Sequence, residues 1–431
     1  MGERQVWVTG LGVMSSLGIG VEDTWQGLVS GKTGVALAEA SDAATAVECP
    51  VSALVPKFRA SKMVKNRKSL KIMTRPVRLG VIAAGLAWDD AGLVEGEVDP
   101  ERLGVFVGAG QAFADRTELE GALDLCRDGE SGGLDMVRYG QQGIDRIHPL
   151  WLLRGLSNNV LGFVSLDYNA QGINNNYANS GVSSTQAISM GALAIEDGFA
   201  DVVFAGGYDS IVGPECMMGY GRLGLLSSQS ESPELAHRPF DRHRTGLVPS
   251  EGSCFLILEA AEHAKARGKA PLAVLSGGGV AMDAFGVADP DPAGTKMILA
   301  AREALRLAGL ESSDIGAIFA HGAASSRYDA IEIAAYRSIF GQEHLSKLPL
   351  TADKAGLGHT VAACGAMSAA MAARAIHHGV IPPIASLSEP DAACQGPDFV
   401  TGEARPCDAK HVLVASAGLG GQAGALILSK P

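Results

Sequence analysis

Apolar, β-branched runs that close on small residues recur along the chain. They fall at Val6–Val13, Leu103–Gly110, Asp201–Gly207 and Ser253–Ala260, then at Pro271–Val280, Ile315–Ala323, Lys410–Gly421 and Gly424–Lys430. Runs with so little polar alternation read as strands buried on both faces, which is the habit of parallel sheets covered by helices. Between them lie alanine-rich stretches, notably Ser183–Gly198 and Thr360–His378, long enough for helices. The pattern predicts an α/β fold. Two series of four runs also predict an internal duplication with its seam near Glu262–Ala270, giving halves of residues 1–262 and 271–431.

In each half a turn of small residues precedes a long alanine-rich helix: Tyr177–Ser184 in the first, Lys354–His359 in the second. The start of a buried helix offers unpaired backbone N–H groups and the positive end of the helix dipole. Anions and thiolates are stabilised there. These two turns are therefore the first places to look for chemistry.

Composition narrows the classes. The 431 residues are 47% hydrophobic and 19% charged, which favours a packed globular chain over a disordered one. A formal net charge of −12 argues against broad nucleic-acid binding. No stretch of about 18 unbroken apolar residues offers a membrane span. The seven cysteines, Cys49, Cys126, Cys216, Cys254, Cys364, Cys394 and Cys407, stand singly, with no CxxC pair for zinc or redox work. Reduced thiols and a start without a visible targeting segment lead us to expect a cytoplasmic protein. Neither a metal cluster nor a dinucleotide fingerprint is evident, so no bound cofactor is expected. The 55 glycines lack any Gly-X-Y period and predict tight turns and close backbone approaches.

Five segments in order carry a resemblance. They are VWVTGLGVMSSLG near the start, RPFDRHRTGLVPSEG (Arg238–Gly252), AHGAA (Ala320–Ala324), TADKAGLGHTVAACGA (Thr351–Ala366) and SAGLGGQAGALIL (Ser416–Leu428). Over nearly its whole length the chain resembles the β-ketoacyl-acyl-carrier-protein synthases of the elongating type. The resemblance implies a thiolase-like fold, two duplicated halves in a layered α-β-α-β-α core. It also implies decarboxylative condensation of acyl and malonyl carrier protein in type II fatty-acid or polyketide synthesis. The only prosthetic group it implies is the phosphopantetheine delivered on the acyl carrier protein.

Residue by residue, the resemblance points to His321 and His359 as the histidines that promote decarboxylation and stabilise the enolate oxygen, with Lys354 supporting the site's electrostatics. Two neutral imidazoles donating N–H to a developing oxyanion make a side-chain oxyanion hole. His237, His243, His263, His344, His377, His378 and His411 read as ordinary core or surface histidines. The family's cysteine nucleophile is missing. Counting back from Gly198–Val203 puts its position on Gly181, and with glycine there no acyl adduct is expected. Ser180, displaced by one residue, is expected to point its hydroxyl away from the oxyanion site.

Other positions depart from the family pattern. Ala323 and Ser325 stand where the family has two pantetheine-holding threonines. Ala417 and Leu419 replace the two phenylalanines of the closing loop, beside Gly420, and imply a wider or less gated pocket. Asp329 and Glu332 match the acidic residues after the AHG turn and are expected to orient the site. Gln111 and Phe113 are the expected tunnel positions at a dimer interface. A basic cluster, Lys62, Lys65, Arg67, Lys68, Lys71, Arg75 and Arg78, suits docking of an acidic carrier protein, with Lys65, Arg67 and Lys68 as its centre. A solvated helix face is the plain alternative for such a run.

Three readings follow from the resemblance. Retention of His321, Lys354 and His359 favours a condensing enzyme whose cysteine has been replaced. Ala323, Ala417 and Leu419 favour a chain-length-factor-like partner in a heterodimer. The histidines alone would suffice for a malonyl carrier protein decarboxylase. Each reading implies a dimer, either a homodimer or a heterodimer with a second ketosynthase subunit.

Overall fold

The computed structural model describes residues 4–38, 48–110, 117–129, 131–229 and 231–431. Its frame is one long sheet. In chain order the strands that matter are β1 (Val6–Ser15), β2 (Leu103–Ala109), β3 (Asn174–Tyr177), β4 (Val202–Ser210) and β5 (Glu251–Ala260). They are followed by β6 (Ala273–Met282), β7 (Ala317–Phe319), β8 (Pro349–Thr351), β9 (Asp398–Phe399), β10 (His411–Gly418) and β11 (Gln422–Ser429). Across the sheet the order is β9-β8-β7-β10-β11-β6-β1-β5-β4-β2-β3.

The order repeats about the central β1–β6 pair. Outward from β1, β5 is antiparallel, β4 is antiparallel to β5, and β2 and β3 follow parallel. Outward from β6, β11 is antiparallel, β10 is antiparallel to β11, and β7 and β8 follow parallel. The two halves thus share strand order and polarity, as a duplication requires. They meet where Val6 pairs with Leu275.

Helices complete five layers. The inner layer holds α2 (Ser183–Glu196) and α5 (Cys364–His378), whose Ala187, Ile188, Met367 and Met371 share one core with strand residues of both halves. Helix α1 (Arg75–Ala91) covers the outside of the first half. Helices α3 (Thr295–Ala308) and α4 (Asp329–Phe340) cover the second. The architecture is the expected α-β-α-β-α arrangement. Alanine and glycine make it possible: a Cβ on Gly108 of β2 would lie 2.3 Å from the Ser184 backbone nitrogen. Only glycine lets α2 start so close to the sheet.

The hydrophobic pattern misses β3, β8 and the two-residue β9. Strand β3 reads Asn-Asn-Asn-Tyr, lies at the sheet edge and is exposed at its first two residues, so it carries no apolar run. Strand β8 is three residues long. Both matter, because the two inner helices are entered from them. No helix among the described residues is long and apolar enough to cross a membrane, and no group of three or more His, Cys, Asp or Glu among them could hold a metal ion.

Candidate active site

Four turns at the same end of the sheet converge. The first leaves β3 through Ala178 and Asn179 into a 3-10 turn, Ser180–Val182, and then α2. The second leaves β8 through a short helix, Lys354–Leu357, reaches His359, and enters α5 through the 3-10 turn Val361–Ala363. The third follows β7 and carries His321 to Ser325. The fourth is the β10–β11 hairpin around Leu419.

The third turn is pinned by two buried carboxylates. Glu332 accepts the N–H groups of His321 at 2.7 Å and Gly322 at 2.9 Å, and the Tyr336 hydroxyl at 2.6 Å. Asp329 accepts Ser325 N–H at 3.1 Å and Phe240 N–H at 2.8 Å, with Arg244 3.6 Å away. Burial raises both carboxyls, Asp329 to about 7. They orient backbone. His237, which reads in the sequence as an ordinary core histidine, is fully buried beside this turn. It accepts Val248 N–H on Nδ1 at 3.0 Å, and its Nε2 faces the Gly322 carbonyl at 3.3 Å.

His321 and His359 come together, with ring centroids 5.2 Å apart and both rings buried. The Nδ1 of His321 accepts the Ala417 N–H at 3.2 Å, and the Nδ1 of His359 accepts the Val361 N–H at 3.0 Å. A nitrogen that accepts carries no proton, so in each neutral ring the proton sits on Nε2. Burial first, and the Lys354 ammonium second, hold both imidazoles well below their usual range, so both stay neutral. Lys354 itself is buried, 3.9 Å from Asp353, with no hydrogen-bond partner on Nζ. Two N–H donors therefore share one site, with the Lys354–Asp353 pair buried close by.

The cavity at this site, about 40 Å³, is lined by Ser180, Tyr220, His321, Ala323, Ser325, Tyr328, His359, Val361, Ala417 and Leu419. A larger one of about 370 Å³ adjoins it and shares Ser180, Tyr220, Val361 and Leu419. Gly420, Asp209, Ile211 and Cys216 line only the larger one. Burial raises Asp209 to about 7. Sequence reasoning missed Tyr220, Tyr328 and Asp209, none of which lies in a recognisable motif, and Val361, which lies in the Thr351–Ala366 segment but carries no reactive group. Gln111 and Phe113 lie outside the described residues.

Gly181, the expected nucleophile position, lines the smaller cavity, and its surroundings leave no room for a side chain. A Cβ at Gly181 would sit 2.1 Å from the Ala417 carbonyl oxygen, a backbone atom, so no nucleophilic side chain fits there. The Gly181 carbonyl is also engaged, 3.4 Å from the Cys364 thiol that donates to it. The left-handed elbow belongs instead to Ser180, with φ 51°. Its hydroxyl points into the site and accepts the Leu419 N–H at 3.2 Å. Counting back from Gly198–Val203 fixes a position along the chain and says nothing of the space around it. Neither nearby cysteine replaces it. Burial pushes Cys364 up to about 11, and Cys216, in the larger cavity, up to about 12.

The basic cluster is divided. Lys65 bonds Glu95 and the Asp167 carbonyl, each at 3.1 Å, and caps the Tyr168 ring at 3.9 Å. Arg75 pairs with buried Glu251. Both remain exposed, as are Lys62, Arg67, Lys68 and Lys71, while Arg78 is half-buried and donates to the Leu70 carbonyl at 3.3 Å.

Comparison with known proteins gives the family. Residues 3–264 match the β-ketoacyl synthase N-terminal domain, and residues 272–388 match the C-terminal domain. The chain belongs to the β-ketoacyl synthase family. It is a ketosynthase of the type II fatty-acid and polyketide kind. It is 31% identical to 3-oxoacyl-[acyl-carrier-protein] synthase 2 of Coxiella burnetii, over 100% of this chain and 99% of that one. It is also 31% identical to a putative polyketide β-ketoacyl synthase 1 of Streptomyces halstedii, over 99% and 98%. Among solved structures, the ishigamide ketosynthase/chain length factor matches with TM-score 0.87 at 27% identity, covering 99% of each chain. A type II polyketide ketosynthase solved with its acyl-carrier protein and bound to the hexaketide matches with TM-score 0.86 at 26% identity, covering 99% of this chain and 100% of that one.

Proposed function

We propose that this ketosynthase decarboxylates malonyl carrier protein and uses the resulting carbanion for carbon–carbon bond formation. The observation that carries this reading is the fixed tautomer of both histidines, which leaves Nε2 as the donor of each ring at a cavity that both residues line. A malonyl thioester placed there would rest its carbonyl oxygen between them. As CO2 leaves, negative charge gathers on that oxygen, and preorganised donors in a low-dielectric site favour the enolate far more than the ground state. Lys354 adds positive potential without donating a hydrogen bond. The phosphopantetheine arm would enter past Ser325 and Ala323, and Leu419 and Gly420 would border the acyl chain.

The test is CO2 release from malonyl carrier protein. The wild type should release it, and His321→Ala or His359→Ala should each cut the rate by about 10²–10³-fold. Unchanged rates in both variants would sink the reading. The carrier protein is the proposed macromolecular partner, with Arg67 and Lys68 as docking residues and Lys65 supporting them from a position already tied to Glu95. The exposed edge of β3 suits the centre of a dimer, either homodimeric or with a second ketosynthase subunit. Seven unpaired cysteines suit a reducing, cytoplasmic setting.

A second reading has its own support. Ala323, Ala417 and Leu419 leave the site with one hydroxyl fewer and smaller walls than the family pattern, as in a chain-length-factor-like partner. Loss of CO2 release from the chain alone, regained only with a cysteine-bearing partner, would favour it.

A further inference from the structure

We propose that Ser180 is a catalytic residue that accepts an acyl group as an oxygen ester, reversing the expectation that this chain forms no adduct. The inference rests on the decarboxylation reading for its second half-reaction, but its first half stands on separate geometry. Ser180 is a Cβ-bearing residue held at φ 51°, a region that favours glycine and asparagine. Strained backbone of this kind persists where the surrounding structure demands it, and it concentrates at functional sites. What the strain achieves here is position. Ser180 stands at the junction of both cavities, so an acyl chain on its oxygen could lie in the larger one while a carrier arm occupies the smaller one with His321 and His359. The Leu419 N–H already points at the Ser180 hydroxyl, and Tyr220 brings its phenol against the same side chain.

The step balances without an external base. Ser180 Oγ attacks the carbonyl carbon of an acyl thioester, the C–O bond forms, and the C–S bond breaks. The Oγ proton passes to the leaving thiolate, which departs as a thiol. Neither imidazole is asked to accept it, since each has Nδ1 occupied and Nε2 protonated. In the second half, the carbanion left by CO2 attacks the serine ester, the C–O bond breaks, and the serine alkoxide takes a proton from solvent.

The experiment uses the full chain and the N-acetylcysteamine thioester of octanoic acid. Intact mass should rise by one octanoyl group, peptide mapping should place it on Ser180, and neutral hydroxylamine, which strips thioesters, should leave it in place. Ser180→Ala should lower adduct yield by about tenfold or more. Ser180→Cys should form an adduct at the same position that hydroxylamine removes, and this keeps the proposal testable if the alanine variant folds poorly. A hydroxylamine-labile adduct on wild type, an undiminished adduct yield in Ser180→Ala, or an unacylated Ser180→Cys would each overturn it. CO2 release without any acyl adduct defeats the Ser180 assignment and leaves the decarboxylation reading intact. An adduct on Ser180 without CO2 release does the reverse.

Discussion

Replacing Gly181 tests the geometry of the elbow most directly. Gly181→Ala adds one carbon, and Gly181→Cys adds the thiol that a linear alignment would call for. The new Cβ falls 2.1 Å from the Ala417 carbonyl oxygen and 3.1 Å from its carbon. An ordinary contact lies at about 3.5 Å or more, so one backbone segment must move by more than 1 Å. Neither side can yield cheaply. Ala417 is paired with Ala423 in the β10–β11 ladder, and its N–H holds the His321 ring. Gly181 is held by Cys364 from the other side. Overpacking of this kind costs about 1–3 kcal/mol. Urea unfolding of Gly181→Ala and Gly181→Cys should therefore show midpoints lowered by that amount at unchanged slope. CO2 release should fall as well, because displaced Ala417 no longer fixes the His321 tautomer. A Gly181→Cys protein as stable as wild type, and acylated on residue 181, would refute the placement of the elbow on Ser180.

The remaining predictions concern charge. Because burial holds His321 and His359, the proposed catalytic pair, neutral well below their usual range, CO2 release should stay level between pH 8 and about 6. An acid limb with an apparent pKa near 6.5 would contradict that. His237 is depressed to about 3, from 6.5 when unfolded, so on acidification the unfolded chain takes up its proton first. Its linkage therefore withdraws stability as pH falls below 6.5. Relative to His237→Gln, wild type should lose about 2 kcal/mol between pH 6.5 and about 5, read from urea midpoints; a constant difference would sink the assignment. Arg67→Glu with Lys68→Glu should weaken carrier-protein binding mainly by slowing association, and the loss should shrink at high salt. Equal affinity at low salt would exclude that face.

Much of the molecule is legible along the chain. The eight apolar runs lie on β1, β2, β4, β5, β6, β7, β10 and β11, because a strand buried on both faces has to be apolar throughout. His321, Lys354 and His359 are legible because each sits in a glycine-bearing turn beside an apolar strand or an inner helix. Strand β3 is not legible, since an edge strand with exposed asparagines satisfies its backbone without burying apolar area.

By itself, then, the sequence determined the α/β class, the duplication and the histidine pair, all of which rest on local pattern and order. Tertiary structure alone decided three things. It decided which nitrogen of His321 carries the proton, because the Ala417 N–H that occupies its Nδ1 comes from a strand far along the chain, whereas the His359 tautomer is set locally by Val361. It decided that Lys65 is bound to Glu95 and Asp167 while Arg67 and Lys68 remain exposed. And it showed that a side chain is housed at Ser180 and has no room at Gly181. Residue counting carries no information about space, whereas a Cβ has room at the first position and meets a carbonyl oxygen at the second.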